Sequence, residues 1–171
     1  MSALAPFRYY VRVRYQDCDS QHVVFNARYG DYLDLAITEF MAAVMPERNP
    51  FANTFEIQLK KQVIEWHAPA RYQDVIEIST FLTRTGTTSF EVHFDLRLAG
   101  KGPDVIVASD GVYVHVARAA SAHVKGQAGP ANSGRWKSNP IPDAQKAQLL
   151  AGAKGVIIDH AGFYPIIPPR T

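Results

Sequence analysis

The chain has 171 residues, with 47% hydrophobic and 20% charged side chains. That is the size and make-up of one globular domain with room for an appendage, and it excludes a disordered, collagen-like or coiled-coil chain. A single cysteine, Cys18, excludes an internal disulfide, and a net charge of +2 is too small to argue for nucleic acid. No apolar run approaches the roughly 18 residues needed to span a bilayer. The start, Met1 to Pro6, meets Arg8 at once with no apolar stretch, so no signal peptide is expected and the expected location is cytoplasmic. Charge is uneven: residues 1–117 hold 11 basic against 14 acidic side chains, and residues 118–171 hold 7 against 2. A solvated basic tail is the simple reading of that asymmetry.

Phe7 to Tyr15 alternates as a strand, with Tyr9, Val11, Val13 and Tyr15 on one face and Arg8, Arg12 and Arg14 on the other. A loop follows, Gln16 to Phe25. The period then changes: Tyr29, Leu33, Ile37, Phe40, Met41 and Val44 recur every three or four residues. This predicts a helix from about Asn26 to Met45, capped by the Asn26 side chain and stopped before Pro46. Four strands are expected after it: Phe55–Trp66 with a phase break near Lys60–Gln62, Asp74–Leu82, Thr88–Leu98 and Val105–Val116. The short links, around Gly86 and over Gly100–Pro103, make the last three an antiparallel meander. One long helix facing about five antiparallel strands is an α+β two-layer domain, placed at residues 1–118. Residues 119–171 read as a C-terminal extension: loop from Ala119 to Asn139, a short helix from Pro142–Asp143 to Leu150 ended by Gly152 or Gly155, and an apolar tail that should dock.

The loop before the helix carries the chemistry. It reads Tyr15-Gln16-Asp17-Cys18-Asp19-Ser20-Gln21-His22-Val23-Val24-Phe25-Asn26-Ala27-Arg28-Tyr29 and sets two carboxylates just ahead of a helix N-terminus. Free amides there stabilise developing negative charge, and a nearby carboxylate can attack a carbonyl or activate water. That combination suits acyl transfer. The same Asp-x-Asp spacing also serves as a turn former or an arginine partner. His67, His93, His115, His123 and His160 show no ligand spacing, so no metal is expected. Cys18, between two acids, is a poor nucleophile.

Tyr15 to Tyr29, followed by Leu33, Ala36 and Glu39-Phe40, resembles the signature of the hotdog-fold acyl-CoA thioesterases, the family of 4-hydroxybenzoyl-CoA thioesterase. The resemblance spans about residues 7–118. It implies a curved sheet wrapped around one long central helix, a homodimer or dimer of dimers with sites at the subunit interface, an acyl-CoA substrate, and no cofactor. By position it implies Asp19 as the catalytic carboxylate and the Asn26 backbone amide as the thioester-oxygen donor. Asp17, Val24, Phe25, Tyr29 and, in the link around Gly86, Thr87 and Thr88 become substrate-side residues. His22 stands where the family usually has Gly, which bears on acyl specificity. Glu39, an acid on the helix, reads as structural. The expected activity is hydrolysis of an acyl-CoA to free acid and CoA. The rival readings are a non-catalytic acyl-CoA or acyl-carrier-protein binder and a hydroxyacyl-thioester dehydratase.

Overall fold

The computed structural model describes residues 5–49, 55–118 and 136–164. Among the described residues seven strands and two α-helices form: β1 Phe7–Arg12, α1 Arg28–Val44, β2 Glu56–Trp66, β3 Val75–Thr85, β4 Ser89–Leu98, β5 Val105–Arg118, β6 Trp136–Ser138, α2 Asp143–Ala151 and β7 Ile157–Asp159. The strands make one mixed sheet in the order β2-β5-β4-β3-β1-β7, with β6 paired to β5. The α+β class holds, and the expected count of about five strands is corrected to seven. The two additional strands are only three residues each and come from the extension, too short to show a period in sequence. One of them, β7, runs parallel to β1 and covers its open edge.

The alternation in β4 is the clearest link from sequence to packing. Phe90, Val92, Phe94 and Leu96 are buried, while Glu91, His93, Asp95 and Arg97 face the other side of the sheet. Helix α1 lays Tyr29, Leu33, Ala36, Ile37, Phe40 and Met41 onto the buried face, in one core with Phe7, Ile76, Ile78 and Val107. Each large side chain so buried contributes about 1.5–3 kcal/mol relative to exposure. Close packing also fixes a glycine. A Cβ on Gly111 would sit 2.8 Å from the ring of Tyr113, which stacks on Phe90. The phase break expected in β2 is a register shift between Leu59 and Lys61.

Two local expectations need correction. First, β1 stops at Arg12, and Tyr15 is 84% exposed rather than facing the core. Val13 still pairs with the segment before β3, donating to Asp74 O and accepting from Gln73 N. The chain then folds into a 3-10 turn over Tyr15–Asp17. Second, the residue before α1 is Ala27, in a helical conformation and with no side-chain cap, so Asn26 does not cap the helix. The extension joins the main sheet through β6 and β7. Helix α2 packs on α1 and β3, and Gly152, at φ 66°, ends it. The loop expected over 119–139 lies, for residues 119–135, outside the described residues, as do His123 and the tail beyond Tyr164.

Candidate active site

Residues 17–25 form a miniature hairpin. Cys18 and Val24 bridge antiparallel, Asp19 N donates to Val23 O at 2.9 Å, and Phe25 N donates to Asp17 O at 2.9 Å. His22 N donates to Asp19 O at 3.0 Å, closing a turn whose last residue, His22, has φ 61°. This is a three-residue hairpin loop with a left-handed bulge position, which glycine occupies at no steric cost. The departure at His22 therefore has a backbone meaning. The site asks for a left-handed residue, and here a histidine adopts it.

The two carboxylates of the loop have opposite surroundings. Asp17 is 1% exposed. Its Oδ2 accepts from Arg14 N at 2.8 Å, from Arg14 Nε at 3.3 Å and from the Tyr32 hydroxyl at 2.9 Å. Burial alone would raise its carboxyl, but the hydrogen bonds from Arg14 and Tyr32 hold it below the ordinary carboxylate value. The Tyr32 hydroxyl is pushed up by burial and by its bond to Asp17. Asp17 thus ties the loop to α1. Asp19 is half-buried and has no arginine partner among the described residues. Its Oδ1 accepts from Gln21 N at 2.8 Å, an Asx turn that fixes the side chain. It lines an open cleft of about 470 Å³ with Tyr15, Gln16, Cys18, Ser20, His22 and Tyr72.

A second cavity, of about 220 Å³, borders the same hairpin. Val23, Val24, Asn26 and Tyr29 line it with Trp66, His67, Ala68 and Pro69. Among the described residues the backbone amides of Asn26 and Ala27 donate to no backbone carbonyl. They are the unpaired amides expected at a helix start. Tyr29 is buried, and its hydroxyl accepts from Ala70 N at 3.2 Å, so it anchors the strand link above the helix. Ala70 O accepts from Val24 N at 2.9 Å and holds the hairpin from the same side.

The expected residues are therefore divided. Asp19 and His22 share one cleft, and Asn26, Val24 and Tyr29 share the other. Asp17 lies beneath them. Phe25 is 53% exposed beside the hairpin. Thr87 and Thr88 are elsewhere. The hairpin follows the end of β1 that pairs with Val75, whereas the two threonines follow the far end of β3. The intervening strand is about 35 Å long. Their carbonyls accept from Ile141 N and His115 N, both at 2.8 Å. Sequence reasoning missed Tyr15, Tyr72, Trp66 and His67 as cleft residues and Tyr32 as the partner of Asp17. Only Tyr32 carried a signal, as a polar tip three residues from Tyr29 on an apolar helix face. Glu39 Oε1 lies 3.9 Å from His160 Nε2, just past the end of β7. Among the described residues no group of three or more His, Cys, Asp or Glu could hold a metal ion, and no helix is long and apolar enough to cross a membrane.

The chain is similar to known proteins. A model of the thioesterase-like superfamily matches residues 13–149. The acyl-CoA thioester hydrolase YbgC of Escherichia coli O157:H7 is 37% identical over 90 residues, covering 48% of this chain and 63% of the relative, and the same figures hold for that of Shigella flexneri. The chain thus spans just under two thirds of the length of the curated relatives it matches. Among solved structures, a gentisyl-coenzyme A thioesterase superimposes with a TM-score of 0.64 at 19% identity, covering 84% of this chain and 98% of that one. A 4-hydroxybenzoyl-CoA thioesterase mutant complexed with 4-hydroxybenzoyl-CoA gives 0.66 at 16% identity, covering 82% and 96%. At these identities the structures establish a shared fold.

Proposed function

The chain belongs to the thioesterase-like superfamily, and from that premise we propose that it hydrolyses an acyl-CoA thioester to a free carboxylic acid and CoA. The observation that carries this reading is Asp19. It is a carboxylate presented on a turn at an open cleft, with one oxygen held by Gln21 N and, among the described residues, no arginine neutralising it. Asp19 acts as nucleophile or general base on the thioester carbon, and the amide of Asn26 receives the developing oxyanion. Val23 faces Asp19, and three residues of extended chain, about 10 Å, separate it from Asn26. A carboxylate side chain, a carbon about 3 Å beyond it and a carbonyl oxygen hydrogen-bonded at about 2.9 Å together bridge that gap. The acyl carbonyl then lies across the hairpin between the two cavities. His22, Val24 and Phe25 flank it, and Asp17 and Tyr29 hold the frame.

The site is completed by a second copy of the chain. Edge strand β2 carries Leu59, Val63 and Trp66 at 48%, 44% and 48% exposure. A long edge with apolar side chains is a surface that proteins cover. Trp66 also lines the Asn26 cavity, so the covering copy borders the reaction site. Sedimentation of the native chain reads this directly: a monomer at micromolar concentration removes the dimer.

Thiol release from short, aromatic and medium-chain acyl-CoAs, followed with a thiol-reactive dye, tests the activity. Turnover that requires Asp19 supports the proposal. Binding of acyl-CoA without thiol release makes the chain a carrier, and loss of water from a hydroxyacyl thioester makes it a dehydratase.

A further inference from the structure

Among the described residues two that are not glycine have a left-handed backbone, His22 at φ 61° and Gln73 at φ 73°. Both adjoin the Asp19 cleft. His22 lines it, and Gln73 follows Tyr72, which lines it from the link between β2 and β3. Strain of this kind persists where the surroundings over-determine it, and it concentrates at functional sites. The loop hairpin accounts for His22. Gln73 has a different cause.

Arg71 to Asp74 form a tight turn. Asp74 N donates to Arg71 O at 3.0 Å, and Asp74 Oδ2 accepts from Arg71 N at 2.8 Å. Gln73 holds the third position, which in a turn with a left-handed residue there is normally glycine. Tyr72, in the second position, is half exposed, and its ring meets that of Tyr15 edge to face with centroids 6.2 Å apart. The two rings belong to the lining of the Asp19 cleft. The turn is pinned to the end of β1. Gln73 N donates to Val13 O at 3.1 Å, and Val13 N donates to Asp74 O at 2.8 Å. Arg12 Nη1 donates to Gln73 O at 3.3 Å. The same guanidinium reaches the C-terminal extension, where Nε and Nη2 donate to Ala161 O at 3.2 and 2.8 Å. Among the described residues these bonds all end on backbone carbonyls, so the position uses the planar fork rather than charge pairing. Arg12, Gln73, Gly162 and Phe163 also share a separate cavity with Tyr72, which therefore stands between the extension and the cleft. Arg12 and Ala161 lie outside the stretch 13–149 that matches the superfamily model.

We propose that Tyr72 is a specificity-determining residue of the Asp19 cleft, and that Arg12 is the positioning residue that sets it by tying the Tyr72 turn to the C-terminal extension. The Tyr72 ring packs against the carbon atoms flanking the thioester, and Arg12 touches no substrate. The proposal rests on the acyl-CoA reading of the cleft but not on turnover.

S-hexyl-CoA is the probe, a thioether that keeps the carbon chain and cannot be hydrolysed. It is titrated into the full chain by calorimetry, well below Tm. Tyr72→Ala should weaken it by about fivefold, and Tyr72→Phe, which keeps the ring, should stay within about twofold. Arg12→Met should weaken it by about three- to fivefold. Arg12→Lys should do the same, because one ammonium cannot hold both carbonyls in the geometry of the fork. Arg12→Met should add nothing in the Tyr72→Ala background, since Arg12 acts through that ring. Tyr164→Phe loses a bond to Tyr10 elsewhere in the extension, and should lower Tm while leaving affinity in place. The proposal is overturned by native affinity in Tyr72→Ala, by full affinity in Arg12→Lys, by independent losses in the double variant, or by an equal loss in Tyr164→Phe. Absence of saturable binding to the native chain overturns it as well. Binding of the thioether with no thiol release from hexanoyl-CoA removes the hydrolase reading and, with the variant pattern above, keeps this one.

Discussion

Asp17 and Asp19 are two residues apart, yet the fold uses them in opposite ways. Asp17 is sealed under the loop, with the Arg14 amide, the Arg14 guanidinium and the Tyr32 hydroxyl on its oxygens. Asp19 stands in an open cleft with one oxygen committed to a backbone amide. Strand alternation would set residues two apart on one face; the difference arises because Asp17 closes the 3-10 turn over Tyr15–Asp17, against Arg14 and Tyr32, and Asp19 already lies in the hairpin. One acid is spent on holding the hairpin to the helix, and that rigidity aims the other at the cleft. A carboxylate saturated by donors is a weak base and a poor nucleophile, so in the proposed reading chemistry falls to Asp19 and stability to Asp17.

The largest effect should follow Asp19→Asn. Asparagine keeps an oxygen for Gln21 N, so the turn survives while the charge is lost. Thiol release from the best acyl-CoA should fall by about 10²–10⁴-fold with Tm unmoved. Near-native turnover in this variant would erase the contrast between the two acids. Asp17→Ala should do the reverse. It leaves the buried Tyr32 hydroxyl and the Arg14 amide without an acceptor, and should cost about 3 kcal/mol in urea unfolding. Tyr32→Phe in the Asp17→Ala background should add less than it does alone, because the shared bond is already gone. Strict additivity of the two changes would dissolve the pair.

Much of this architecture was legible in the sequence, and the reasons are local. The alternation of Phe90 to Leu98 and the three- and four-residue spacing from Tyr29 to Val44 come from burial on one face, which periodicity reports directly. The break in β2 showed as a lost phase near Lys60. What was hidden depended on distant partners. Nothing near Asp17 announces that Tyr32, fifteen residues on, donates to it. Tyr10 belongs to the polar face of β1 by period, yet it is 1% exposed because Phe163 stacks on it and Tyr164 bonds its hydroxyl. Strands β6 and β7 are made by pairing with a finished edge rather than by any pattern of their own. Asn26 failed as a cap for a different reason. The hairpin closes through Phe25 N to Asp17 O, and helical backbone begins one residue later than the side chain suggested.

A smaller effect tests the turn itself. His22 sits at φ 61°, where a side chain costs about 1–2 kcal/mol and glycine costs nothing sterically. Glycine also loses more freedom on folding, so His22→Gly should stabilise by only about 0.5–1 kcal/mol in urea unfolding. Destabilisation instead would mean that the imidazole makes a contact worth more than the backbone strain. The same variant opens the Asp19 cleft. A change in acyl preference without a change in the Asp19 dependence would make His22 a specificity residue of the cleft wall.

The smallest effect is the pH dependence of the sealed acid. The folded-state carboxyl of Asp17 lies below its ordinary value of 3.8. A group lowered on folding contributes stability that is fully present above the unfolded-state value and is lost as pH falls through the folded one. The stability gap between the native chain and Asp17→Asn should therefore be full at neutral pH and shrink only in strongly acidic solution. Arg14 sets the sign: its amide and guanidinium favour the charged form, against a burial cost that disfavours it. A gap that stays constant from neutral pH to well below 3.8 would mean that the hydrogen bonds, not the charge, hold the hairpin. In that case Asp17→Asn would differ from the native chain by the same amount at every pH, and the contrast with Asp19 would be one of exposure alone.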